Sequence, residues 1–203
     1  MIIHSVEQGT PEWLKLRLGI PTASNASKLV QSDGRPSKSM EPFAQKLSGD
    51  LFAGRDIDAW EGNKYTERGH EVEDSARLSY QMSGGVVEQV GFITDDLTRY
   101  GCSPDGLVGE DGMLEIKCLP KKHIAAILYI QRNNRPPTDY IAQCQFQLLV
   151  TGRAWCDLYY YHDDLPTKTC RIIRDEAYML KLTTAINACI TERDNTLKLL
   201  ETM

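Results

Sequence analysis

The chain reads as an α/β layered domain. Helical patterns flank a central group of short β-rich stretches, turn residues separate those stretches, and neither polar break along the 203 residues resembles a linker between independent domains. A chain of this length buries roughly 70% of its unfolded surface and folds without disulfides or a structural metal. Its 41% hydrophobic and 25% charged residues exclude the disordered, collagenous and coiled-coil classes. The longest uncharged apolar run, 124–130, falls far short of a bilayer span, and Met1-Ile2-Ile3-His4 lacks the pattern of a signal peptide. The expected location is the cytoplasm.

Taken in order, a helix is expected over 11–18 and another over 22–30, with Ser or Thr at its start. The polar stretch 31–39, with Gly and Pro, reads as an exposed loop. A helix follows over 42–51, and a long one runs from about 63 to 82, where Gly84-Gly85 ends it. Segments 86–94, 101–108 and 113–119 are β-rich and bounded by turn residues. After the break Asn133-Asn-Arg-Pro-Pro137, a helix fits 137–150, with prolines at its start and Gly152 at its end. Strands fit 154–161 and 169–174, and a last helix runs from 175 to 201 with Asp175 as its N-cap.

The net charge of −5 argues against a protein coated in basic charge, but not against a local basic channel beside an acidic metal site. The six cysteines show no C-x-x-C spacing and are expected to be small core residues.

The segment from Ser103 to Cys118 carries the most chemistry. Gly109-Glu-Asp-Gly112 supplies a turn that brings Asp105 opposite Glu115, within a residue of register. Glu115 and Lys117 then share a face, while Ile116 points the other way into the core. Two carboxylates held together are unfavourable unless a cation sits between them or one takes up a proton. Such oxygen ligands suit Mg²⁺ or Mn²⁺ rather than zinc. Near a bound cation the Lys117 pKa should fall, letting it orient or deprotonate a water. A surface hairpin with a salt bridge is the plainer alternative. The proline before Asp105 and the placing of charges between Leu114 and Ile116 favour chemistry.

On the long helix, Tyr65, Gly69, Val72, Ala76 and Tyr80 form one face, and Glu73 borders it. A glutamate there is partly buried and needs a partner; a cation from the hairpin would be one, an ordinary boundary position the other reading. Gln143, Gln145 and Gln147 interrupt an apolar helix, where an amide either positions a water or phosphate oxygen or satisfies buried backbone. Arg17 lies near Thr22 and Ser24, hydroxyls at an expected helix start with free N–H groups, which makes an anion site or a simple cap.

Several blocks stand in a fixed order along nearly the whole chain. They are Trp13-x-x-x-Arg17-Leu-Gly-x-x-Thr-Ala-Ser24, Val72-Glu-Asp-Ser-Ala-Arg77, Cys102-Ser-Pro-Asp-Gly-Leu107, Leu114-Glu-Ile-Lys-Cys118 and Tyr140-Ile-Ala-Gln-Cys-Gln145. Together they resemble the lambda-exonuclease-like (YqaJ-type) recombination nucleases of phages and prophages, within the PD-(D/E)XK superfamily. The resemblance implies a restriction-endonuclease-like core, a central mixed β-sheet flanked by helices, in one nuclease domain over 1–203. It implies that Asp105, Glu115 and the backbone carbonyl of Ile116 ligate a metal, that Glu73 holds a second ion, and that Lys117 activates water near Gln143. It further implies a 5′-phosphate pocket of Arg17, Ser24 and Ser103, with Thr22 beside it, and duplex contacts from Arg35 and Met40.

The activity so implied is 5′→3′ exonuclease action on double-stranded DNA ends, with two Mg²⁺ or Mn²⁺ ions per site. Mononucleotides would be released, leaving 3′ overhangs for recombination by single-strand annealing. A homotrimeric ring, an annealing partner protein and a bacterial host cytoplasm belong to the same implication. With a net charge of −5, the basic residues should then gather on the wall that faces DNA. A structure- or sequence-selective endonuclease of the same superfamily, and a non-catalytic DNA-binding module, are the alternatives.

Overall fold

In the computed structural model, residues 1–58, 64–119 and 121–203 are described, those from 64 to 71 by backbone alone. The first half of the chain runs β1 (Ile2–His4), α1 (Pro11–Arg17), α2 (Ala26–Leu29), α3 (Met40–Ala53), α4 (Lys64–Met82), β2 (Val87–Glu88), β3 (Phe92–Thr94) and β4 (Gly101–Cys102). It continues through β5 (Gly106–Val108), β6 (Gly112–Lys117), α5 (His123–Asn133), α6 (Ile141–Thr151), β7 (Trp155–Tyr160), β8 (Lys168–Ile173) and α7 (Glu176–Glu201).

The strands form a five-stranded sheet in the order β2-β5-β6-β7-β8 and a three-stranded sheet in the order β1-β3-β4. In the larger sheet only β6 and β7 run parallel, because the chain between them crosses over through α5 and α6; the remaining pairs are antiparallel. The sheet is mixed and has helices on both faces.

The two-residue period of β6 sorts its side chains between two cores. Leu114 and Ile116 pack with Ala76 and Tyr80 of α4 and with Tyr159. Met113 faces the other way, among Cys144 and Leu148 of α6, Leu158 and Tyr160, over which α3, α2 and α7 close the larger core. Glu115 and Lys117 share that second face, so charged groups interrupt an otherwise apolar layer.

Helix ends follow their local chemistry. Asp175 accepts a hydrogen bond from the Tyr178 amide at 3.0 Å and caps α7, and Gly152 ends α6 in the left-handed region at φ +70°. Gly106 has no room for a side chain, since a Cβ there would meet the Val87 side chain at 2.1 Å. That contact lets β2 lie close beside the start of β5. All six cysteines are free thiols, and every one but the half-buried Cys118 is buried. Among the described residues no helix is long and apolar enough to cross a membrane.

The structure corrects the element boundaries at several points. The helix expected over 22–30 is a 3₁₀ turn at Ala23–Asn25 followed by the four-residue α2, after which Val30 bridges to Pro36. The stretches 86–94 and 101–108 each divide in two. Their halves lie in different sheets, and the breaks at residues 89–91 and 103–105 are where the chain crosses between sheets. Helix α5 was hidden because its apolar residues lie on both faces: Ile130 is buried while Ile124 and Leu128 are exposed, which blurs the 3.6-residue period. The expected helix start at 63, and the inward placing of Tyr65 and Gly69, lie outside the described residues and side chains.

Candidate active site

Strand β5 begins at Gly106, so Asp105 stands just before it, at the crossing between sheets. The Asp105 amide donates to the Leu114 carbonyl at 3.1 Å, and its Oδ2 accepts from the Ile116 amide at 2.5 Å. Gly106 pairs with Leu114, which sets Asp105 across from Glu115. Glu115, only 3% exposed, is ringed by donors. Its Oε1 accepts from Lys117 Nζ at 2.5 Å and Gln143 Nε2 at 2.7 Å, and its Oε2 accepts from Gln147 Nε2 at 2.6 Å. Lys117 also donates to Gln143 Oε1 at 3.3 Å and lies 4.5 Å from the Tyr140 ring centre.

Electrostatics follow from this crowding. Burial first, then the charges of Glu115 and Glu73, hold the Asp105 carboxyl well above the usual range; the Ile116 amide and Lys117 oppose them. For Lys117, burial pulls the ammonium down, but the neighbouring Glu115 carboxylate outweighs it and keeps the group above the ordinary amine value. Opposed carboxylates strained by their own charge are a donor set that a hard divalent cation relieves, and oxygen donors fit Mg²⁺ or Mn²⁺. The residues present fit such an ion.

Glu73 reaches the site from α4, on the other side of the sheet. Among the described residues no three acidic, His or Cys side chains close into a tight cage, and Glu73 Oε1 accepts from Arg77 Nη2 at 2.8 Å. Arg77 also donates through Nη1 to Asp74 at 2.7 Å and through Nε to the Asp105 carbonyl at 3.1 Å. With the Gln89 amide turned so that its oxygen faces Arg77, it accepts from Nη1 at 2.7 Å and Nη2 at 3.2 Å. The guanidinium thereby ties α4 to both sheet crossings. Glu73, Arg77, Gln89 and Asp105 line a cleft of about 420 Å³ with Gln8 and Val90. Arg77→Met would leave these acceptors facing an apolar chain, and a loss of about 3 kcal/mol is expected in denaturant unfolding. An unchanged midpoint would show that Arg77 does not brace the site.

A second cluster sits beside the first. Arg17 Nη2 donates to Ser24 Oγ at 3.1 Å and Nη1 to Ser103 Oγ at 3.4 Å, while Thr22 and Ser24 hydroxyls lie 3.1 Å apart. The guanidinium stacks 4.0 Å from the Trp13 ring centre, and Trp13 Nε1 donates to Ser103 Oγ at 2.9 Å. Among the described residues no carboxylate pairs with Arg17; burial pulls its pKa down to about 10, which leaves it cationic at neutral pH. A half-buried guanidinium without an anionic partner, flanked by hydroxyls, is a site for an anion. Because the segment after Thr22 is a three-residue 3₁₀ turn rather than a helix, side chains and not a helix N-terminus would do the binding. Ser103 and Asp105 are two residues apart, at most about 7 Å of backbone, so the clusters adjoin.

Two expected residues stand elsewhere. Arg35 pairs with Asp33 of its own loop at 2.6 Å, and Met40 packs against the larger core at the start of α3. Gln147, weighed in the sequence with Gln143, is brought onto Glu115, whereas Trp13 and Arg77 were not singled out as site residues, although each had a spacing signal. Trp13 lies four positions from Arg17 and Arg77 four from Glu73, so each shares a helical stripe with a residue that was singled out.

The sequence matches the YqaJ-like viral recombinase domain over residues 12–154. No curated protein matches it. Among solved structures, an alkaline exonuclease (LHK-Exo) from Laribacter hongkongensis is 34% identical, with 95% of this chain and 97% of that chain covered and a TM-score of 0.82. A structure of LHK-Exo in complex with dAMP is similar at 33% identity, the same coverage and the same TM-score. A phage related exonuclease from Haemophilus somnus 129PT shares the fold at 17% identity and a TM-score of 0.64, with 98% and 97% covered. The fold is thus of the PD-(D/E)XK type, a mixed sheet between helices.

Proposed function

Because the chain belongs to the YqaJ-like viral recombinase domain family, whose exonuclease relatives support a DNA exonuclease role, we propose that it is a Mg²⁺- or Mn²⁺-dependent 5′→3′ exonuclease. It takes double-stranded DNA ends, removes mononucleotides from one strand and leaves 3′ overhangs for single-strand annealing. Residues 1–203 act as one nuclease domain. The observation that carries the reading is the meeting of Asp105 and Glu115 across a hairpin, with Lys117 on Glu115 and the Arg17 pocket next door. A relative in complex with dAMP, a deoxynucleoside monophosphate, supports mononucleotide release. The proposal extends to two ions per site, a homotrimeric ring, an annealing partner and the cytoplasm of a phage-carrying bacterium.

Asp105, Glu115, the Ile116 carbonyl and Glu73 would hold the ions, which supply Lewis-acid stabilisation of the attacking and leaving oxygens. The protein's own groups do the rest. Arg17, Ser24 and Ser103 hold the terminal 5′-phosphate, with Thr22 supporting Ser24, and so set the scissile phosphate a short way along the strand, beside Asp105. Beside Glu115, Lys117 keeps its proton, because the attraction of that neighbour outweighs burial. With that carboxylate charge neutralised, burial would prevail, the ammonium would release its proton to solvent, and the free amine could then accept one from the attacking water. Gln143 bridges Glu115 and Lys117 and holds the amine in place. Arg35, on an exposed loop, is a peripheral duplex contact.

End-labelled linear duplex beside a circular control, with Mg²⁺ titrated, tests the reading. Labelled mononucleotide should come from 5′ ends, and the circle should survive. Cutting of the circle would indicate an endonuclease, and an intact linear duplex with either cation would remove the catalytic role.

A further inference from the structure

Five of the chain's 23 basic residues and none of its 28 acidic ones fall within the stretch 116–138, which leads from the candidate catalytic strand through α5. Apart from Lys117 in the site, these cations are Lys121, Lys122, Arg132 and Arg135, and all four are exposed. Ile124, Leu128 and Arg132 follow one another at four-residue steps within α5, which puts them on one stripe of the helix, while Lys121 lies in the turn just before it and Arg135 just past its left-handed end at Asn134. Ile124 is 44% exposed and Leu128 41%, so the outward stripe is apolar in the middle and cationic at both ends.

His123 and Ile130 hold the helix by its opposite face, and Gln131 ties it down at the edge of the stripe. His123 is fully buried and its Nε2 lies 2.8 Å from the Pro166 carbonyl, Ile130 is buried, and Lys168 donates to Gln131 at 2.9 Å. Arg135 Nε donates to the Tyr129 hydroxyl at 3.0 Å, which keeps that cation against the helix. These anchors fix α5 at the end of the sheet where Lys117 pairs with Tyr160 of β7 and Lys168 of β8 pairs with the same residue.

We propose that this stripe of α5 grips the sugar–phosphate backbone of the DNA substrate, the cations on phosphates and Ile124 and Leu128 against sugar or an unstacked base. The inference rests on the exonuclease reading and names a surface outside its active site. DNA fits better than a protein or lipid partner, because the cationic face lies a few residues from Lys117, where a polyanion must already run. Contacts of this kind read no sequence, as an enzyme that works along any end requires.

The test is the salt dependence of binding to a fluorescent linear duplex in chelator, comparing wild type with Lys121→Gln/Lys122→Gln/Arg132→Gln/Arg135→Gln. Each phosphate contact contributes about 0.9 to the slope of log affinity against log salt, so losing four should flatten the slope by about 3.6. Affinity at moderate salt should fall at least about thirtyfold, while the turnover number on saturating DNA with Mg²⁺ stays within about twofold. Ile124→Ser/Leu128→Ser, which leaves the charges in place, should weaken binding without altering the slope. A slope unchanged in the quadruple variant, with a wild type that digests DNA, would overturn the α5 assignment alone. A change in self-association or vesicle binding in place of the slope would overturn it in favour of another partner. A wild type that neither binds nor digests duplex would sink the exonuclease reading, and this inference with it.

Discussion

Asp105→Ala is expected to cut the degradation of linear duplex by at least about a thousandfold, because it removes a proposed oxygen ligand and with it several kcal/mol of charge stabilisation. The fold should survive, and the reason lies in the sign of the pKa shift. In the unfolded chain an aspartate ionises near 4, whereas burial and the Glu115 and Glu73 charges push the folded group well above that. As pH rises between the two values, the native state holds a proton that the unfolded state has released, so stability falls with pH. Asp105→Ala abolishes that decline. It also strips the Ile116 amide of its acceptor, at a cost of about 1 kcal/mol. Metal-free stability at pH 8, read from denaturant unfolding, should therefore be level with wild type or above it. A variant that still digests DNA, or one that loses activity only because it unfolds, would remove Asp105 from the catalytic set.

Arg17→Ala should abolish the proposed preference for 5′-phosphorylated ends. Hydrogen bonds to a charged partner are worth about 1.5–3 kcal/mol, which is roughly ten- to a hundredfold in the ratio of rates on phosphate and hydroxyl ends. The ratio should fall to near one chiefly through the phosphorylated substrate. Trp13 and Ser103 keep their own hydrogen bond, so the pocket wall stays in place. If wild type and variant digest both ends alike, the pocket serves another purpose.

How much of this was legible in the sequence depended on whether the signal was local. The hairpin was legible, since turn glycines and a two-residue period are enough to set Asp105 against Glu115. The Asp175 cap and the Gly152 stop were legible for the same reason. The division of 86–94 and 101–108 between two sheets was not, because a crossing is decided by which distant strand offers free backbone groups. Helix α5 escaped because a helix exposed on an apolar stripe and buried on another has no single hydrophobic face. The grip of Arg77 on Glu73 could be suspected from their spacing, but its bonds to Gln89 and the Asp105 carbonyl join segments that only the fold brings together.

The central claim is that Asp105 and Glu115 together hold a divalent cation at which DNA is cut. Crystals grown with Mn²⁺ and measured for anomalous scattering test it directly. A peak coordinated by carboxylate oxygens of both Asp105 and Glu115, absent in Asp105→Ala, is the predicted result. A fully occupied Mn²⁺ elsewhere, with Asp105 still on the Ile116 amide and Glu115 still ringed by Lys117, Gln143 and Gln147, would contradict it.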